Sequence, residues 1–175
     1  VAVLVVGVVQ MTVVGVPVLG LMSLAPQAVS ALDADLAAWA AGTRPHLRLL
    51  GTIQARTGTT GKPTAVAKRK AFYTELLAFL ALHPQGVTID QVVDAFGSDA
   101  TQMRVHLSKV RSWLGVDPTT GGQYLPEATK SPAGIARGMG VYQLVGVLAD
   151  LDLFRRLRAR GQARGSEGVI DLQAA

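Results

Sequence analysis

ATQMRVHLSKVRSWLG, residues 100–115, is the stretch on which the fold turns. On a helical wheel, Met103, Leu107, Val110 and Leu114 fall within about 60° of one another, which makes them a core face. The opposite side presents Thr101, Val105, Ser108 and Ser112, with Arg104 on one flank and Lys109 on the other. Arg111 lies nearer the core edge, and His106 and Trp113 on the far side. Gly115 ends the helix. The segment is therefore amphipathic, and its wet side carries small polar residues between bases.

The residues before it read as two further helices. In GVTIDQVVDAFG (86–97), Thr88 and Gln91 match a capping box, which satisfies amide donors at a helix start. Ile89, Val92, Val93 and Phe96 form its buried side, Gly97 ends it, and Ser98 or Asp99 caps the next helix. In AVAKRKAFYTELLAFLALHP (65–84), Phe72, Leu76, Phe79, Leu80 and His83 form one apolar stripe, broadened by Tyr73 and Leu77. Pro84 stops it. Lys68, Arg69 and Lys70 fall in its first turn, where the helix dipole disfavours cations by a few tenths of a kcal/mol; a nearby phosphate backbone would account for them, and so would a plain solvated basic end.

Further back, HLRLLGTIQAR (46–56) alternates with a period of two, which predicts a strand broken near Gly51 into two short ones. TGTTGKPT (57–64) is a loop. It is not a phosphate-binding loop, because Arg56 stands where the first glycine belongs and Pro63 where a magnesium-binding Ser or Thr belongs. Downstream, QYLP (123–126) and GVYQLVG (140–146) flank a stretch rich in Gly, Pro and Ala, which predicts a hairpin over 123–145 with Lys130 and Arg137 in its loop.

The N-terminus differs in kind. The first charge of the 175-residue chain is Asp33, and the apolar run before it is long enough for a transmembrane helix over residues 1–25. Pro17 is tolerated in such a span. Residues 43–175 hold all 17 bases and 10 acids, so the positive-inside tendency puts them in the cytoplasm. The expected location is the plasma membrane, single-pass. Residues 26–44 read as a juxtamembrane helical linker with Leu32, Leu36 and Trp39 at helical spacing.

Function classes narrow quickly. No cysteine is present, which excludes thiolate chemistry and disulfides. His46, His83 and His106 lack metal-ligand spacing, and no nucleophile–base pattern appears. Asp150 and Asp152 are two apart, a spacing that points them to different helix faces, so Asp150 reads as a helix cap and not half of a catalytic pair. No enzyme, cofactor or metal is expected. A basic chain suits an anionic partner.

Several motifs agree in order with a known family. LRLLG, TELLAFLALHP, the following V-x-x-D-x-x-x-D-A pattern and RGMGVYQL resemble the OmpR/PhoB-type winged-helix domain. The chain is most similar to the actinobacterial version that precedes a bacterial transcriptional activator domain (BTAD) in SARP-like regulators, in a membrane-anchored variant. YLP, VYQL and DLDLF resemble its wing and the start of its helical domain. Phe96 stands where that family usually has Trp. The resemblance implies an α+β winged helix–turn–helix over residues 45–147: short N-terminal strands, three helices and a C-terminal β-hairpin wing, preceded by the transmembrane helix. Residues 148–175 would begin a helical activator-type domain.

The expected partner is double-stranded DNA, bound for transcription regulation through Thr101, Gln102, Arg104, Val105, Ser108, Lys109, Arg111 and Ser112 on the helix and Lys130 and Arg137 on the wing. Gln102 and Arg104 are the base-reading candidates. The membrane through residues 1–25, a protein partner through the basic 150–164 helix, and a second copy of the chain complete the expected partners. The alternative is a membrane-associated interaction module that keeps the fold without binding DNA.

Overall fold

A computed structural model describes residues 31–174. Helix α1 covers residues 31–41. Strands β1 (His46–Arg48) and β2 (Gln54–Arg56) follow, then a 3-10 segment, η1 (Pro63–Arg69). Next come α2 (Lys70–Leu82), α3 (Ile89–Phe96), α4 (Ala100–Leu114) and the short α5 (Pro132–Arg137). The chain then forms β3 (Leu148–Ala149), α6 (Asp150–Arg164) and α7 (Val169–Ala174).

The sheet has the order β2-β1-β3. β1 and β2 run antiparallel with Leu47 opposite Ala55, and β3 joins β1 in parallel with Leu148 opposite His46. The strands are three, three and two residues long, so the sheet mainly ties chain ends together. Asp150 does not cap α6 from outside. It is the first residue of α6, and its carboxylate accepts from Leu49 N at 2.7 Å, Leu50 N at 3.1 Å and Leu151 N at 2.8 Å. That links the end of β1 to the start of α6.

The main core lies among β1, η1, α2, α3 and α4. Leu76, Leu77, Leu107, Val110 and Leu114 are fully buried there, and each such side chain contributes about 1.5–3 kcal/mol. α3 starts with the reciprocal capping box of Thr88 and Gln91 and ends at Gly97, whose φ of 60° suits glycine. Asp99 caps α4 by accepting from Gln102 N at 2.9 Å. On α2, Phe72 and Phe79 are half-buried against Phe96. His83 is exposed and hydrogen-bonds Phe79 O through Nδ1 at 2.7 Å, so it closes the helix and does not extend the apolar stripe.

A smaller cluster sits apart. Leu32 of α1 packs on Leu153 and Leu157 of α6, with Leu36 and Trp39 at its edge. Residues 31–41 are thus packed on α6.

The winged-helix expectation is corrected. The described chain is mostly helical, and no C-terminal hairpin wing forms. Ser131 and Pro132 are the reason. Ser131 Oγ accepts from Gly134 N at 2.9 Å and donates to Val141 O at 2.6 Å, and Pro132 occupies the first turn, where its missing N–H costs nothing. A helix therefore stands where the hairpin loop was expected. The two flanking runs meet at one backbone hydrogen bond, Val145 N to Tyr124 O at 2.9 Å, and bridge elsewhere: Tyr142 to Val87 and Gln123 to Val116.

The transmembrane expectation falls on residues 1–25, outside the described residues. Among the described residues no helix is long and apolar enough to cross a membrane. The plasma-membrane location is corrected accordingly: no span is shown.

Candidate nucleic-acid interface

α4 holds most of the sequence-predicted residues on one side. Met103, Leu107, Val110 and Leu114 are fully buried, which fixes the rotation of the helix about its axis. Thr101, Gln102, Arg104, Val105, Ser108, Lys109 and Ser112 are consequently exposed. Val105, at the centre of this face, is 51% exposed. Ser112 Oγ donates back to Ser108 O at 3.2 Å, and Ser98 Oγ donates to Gln102 Oε1 at 3.4 Å.

Three predicted residues stand differently. Arg111 is drawn inward, donating Nε to Leu125 O at 2.7 Å and Nη2 to Pro126 O at 3.1 Å; it holds the chain that leaves α4. Lys130 pairs with Glu127 at 2.8 Å. Arg137 ends α5 and donates to Gln85 O at 3.0 Å, beside the turn after α2. Neither Lys130 nor Arg137 lies on a ribbon beside α4. Trp113, expected on the far side, is buried, because η1 packs over that flank of α4.

Sequence reasoning did not place η1 against α4. At one end, Lys62 N donates to Ser112 O at 3.1 Å, and Thr60 Oγ1 exchanges hydrogen bonds with Val116 N and O. At the other end, the Arg69 guanidinium sits 4.4 Å from the Phe72 ring centre, and that ring lies 4.9 Å from His106. η1 thus runs along α4 from Ser112 back toward His106. Lys62, Lys68, Arg69 and Lys70 are exposed there. Lys68 and Arg69 occupy the last turn of η1, and Arg69 is also the N-cap of α2, so the two helix ends act on them in opposite senses. A signal for this was present in the sequence: no acid occurs between Asp35 and Glu75, nor between Asp99 and Asp117.

His106 is half-buried, with Nδ1 3.0 Å from Tyr73 Oη. Burial, then the positive charges of Arg69 and Lys109, hold its pKa below the usual histidine value. Both bases therefore act on the same side of α4. Among the described residues, Lys62, Lys68, Arg69, Lys70, Arg104 and Lys109 form no ion pair with a carboxylate. By contrast α3, which also packs on α4, bears Asp90 and Asp94 and no base.

The basic helix α6 is organised otherwise. Arg156 pairs with Asp35 and Asp152 at 2.9 Å each. Arg160 pairs with Asp33 at 2.5 Å and Asp171 at 2.6 Å, and Arg164 reaches Asp171 at 3.3 Å. The Arg160 hydrogen bonds hold Asp171 below the usual carboxylate range. Arg155 and Arg158 stay exposed.

Among the described residues, no group of three or more His, Asp or Glu is placed to hold a metal ion. The open side of α4 presents hydroxyl, amide and cationic groups to solvent. No protein-family model, no curated protein and no solved structure matches this chain.

Proposed function

We propose that this chain is a non-catalytic DNA-binding module of transcription regulation, which lays the outer face of α4 in the major groove in the manner of a helix–turn–helix. The observation that carries this reading is the exposed α4 face with Arg104 and Lys109 on its flanks and, among the described residues, no carboxylate paired to either. The major groove, about 12 Å wide, admits one helix whose central side chains are small. Thr101, Ser108 and Ser112 meet that condition. The likeness of the α2–α4 sequence to OmpR/PhoB-type domains supports the same reading.

The division of labour follows from side-chain chemistry. Arg104 and Lys109 pair with phosphates and supply salt-dependent affinity. Gln102 and Arg104 have the donors and acceptors to address base edges, and Val105 offers an apolar contact to a thymine methyl. With so few such groups, binding is governed more by backbone than by sequence.

A second reading is protein docking through the same face, favoured by the exposed Val105 between small side chains. A salt titration of binding to a random-sequence duplex separates the two. DNA binding gives a log–log slope of about −0.9 for each phosphate neutralised, so four contacts give roughly −3.6. Absence of duplex binding at low salt would favour docking to a protein.

A further inference from the structure

We infer that the 3-10 segment η1, with Lys62 at its start and Lys68 and Arg69 in its last turn, is a second phosphate-gripping edge that lies along α4. The inference rests on the duplex-binding reading of α4 and names the element that stands beside it in place of a hairpin wing.

Position is the first ground. The Lys62 amide is hydrogen-bonded to Ser112 O, and Arg69 stacks on the Phe72 ring that touches His106. η1 therefore tracks the α4 axis from residue 112 to residue 106, a length of about 9 Å at 1.5 Å per residue. Its bases line the edge of α4 that already carries Lys109. A duplex seated on the outer face of α4 would bring one backbone over that edge.

Charge is the second ground. The acid-free stretch between Asp35 and Glu75 and the one between Asp99 and Asp117 are far apart in the chain, and η1 packing on α4 joins them. Of the elements that pack on α4, α3 brings Asp90 and Asp94 and would repel a phosphate strand, and α2 brings Lys70 and Glu75 together, whereas η1 brings only bases. Electrostatics thus favours the η1 side for the backbone.

Availability is the third. Lys68 and Arg69 are exposed, and neither pairs with a carboxylate among the described residues. The expected wing bases are already engaged: Lys130 by Glu127 and Arg137 by Gln85 O.

The test is the salt dependence of full-chain binding to a random-sequence duplex for four proteins: wild type, R104Q/K109Q, K68Q/R69Q and R155Q/R158Q. The slope should fall in magnitude by about two for K68Q/R69Q, as it does for R104Q/K109Q, since each lost phosphate contact removes about one. R155Q/R158Q, which removes as much charge from α6, should match the wild type. Should loss of Arg69 disturb the Phe72 stack, Lys68→Gln alone should lower the slope by about one. If R104Q/K109Q lowers the slope and K68Q/R69Q does not, the η1 edge is refuted while the α4 reading stands. If R155Q/R158Q lowers it equally, the effect is net charge and the edge is refuted. If the wild type binds no duplex, both readings fall together.

Discussion

Two regions of this molecule are rich in bases and use them in opposite ways. On α6, three arginines are turned to carboxylates of α1, α7 and α6 itself: Arg156 to Asp35 and Asp152, Arg160 to Asp33 and Asp171, Arg164 to Asp171. There the charges hold elements together over a small apolar cluster of Leu32, Leu153 and Leu157. On η1, at its two flanks (Lys62 and Lys70) and on α4, six bases face outward with no carboxylate partner among the described residues, and a large apolar core beneath them does the holding. A count of bases cannot separate a structural charge from a recognition charge. The position of the acids can.

The contrast in cores gives the largest expected effect. Leu107→Ala should cost about 2–5 kcal/mol, because the surrounding helices cannot close over the void, whereas Leu157→Ala in the three-residue cluster should fall at or below the lower end of that range. Denaturant unfolding of both variants checks this. Equal large losses would mean that the α1–α6 packing is as much the core as the α2–α4 packing.

The charges should separate binding from stability. R104Q/K109Q should lower the salt slope for duplex binding by about two and leave the unfolding midpoint nearly unchanged. Arg160→Gln should do the reverse, raising amide exchange over α7 with duplex affinity intact. Loss of stability in the first variant, or of DNA affinity in the second, would break the division.

A smaller effect concerns pH. Asp171 is held below the ordinary carboxylate range by Arg160, so its contribution is complete above the unfolded-state pKa and disappears as the pH falls through the folded value. Protection over α7, measured against the intrinsic exchange rate at each pH, should therefore fall in acid, below the ordinary range for aspartate, before that of the α2–α4 region. Exchange monitored by region as the pH is lowered checks the order.

The smallest effect belongs to His106. Burial and the charges of Arg69 and Lys109 depress its pKa, and Tyr73 Oη is its hydrogen-bond neighbour. A phosphate strand beside those two bases would offset their repulsion and raise that pKa, so DNA binding takes up protons. Affinity should rise as the pH falls through the region below the usual histidine value. His106→Gln should abolish that pH dependence.

What could be read in the chain was what neighbouring residues decide. The capping box of Thr88 and Gln91, the left-handed Gly97 and the Met103, Leu107, Val110, Leu114 stripe each depend on contacts within a turn or two, and the structure has all of them. The open face of α4 follows from that stripe. The hairpin failed because strand pairing is a non-local choice: Tyr142 takes Val87 as its partner, and of its run only Val145 N reaches QYLP, at Tyr124 O. Local signals against it were present, since Ser131-Pro132 and Gly138 are the start and stop residues of a short helix. The η1 edge was hidden for the same reason as the α6 ion pairs. η1 on α4 and the pairs of α6 with Asp33 and Asp35 join residues distant in sequence, and only the Lys68–Lys70 run and the gaps without acids hinted at the first.

The most direct measurement of the central claim is a residue-level footprint: amide exchange of the full chain with and without a random-sequence duplex at low salt. Added protection should appear over residues 99–112 and 62–70 and be absent over 150–174. No change anywhere, or protection centred on α6, would contradict it.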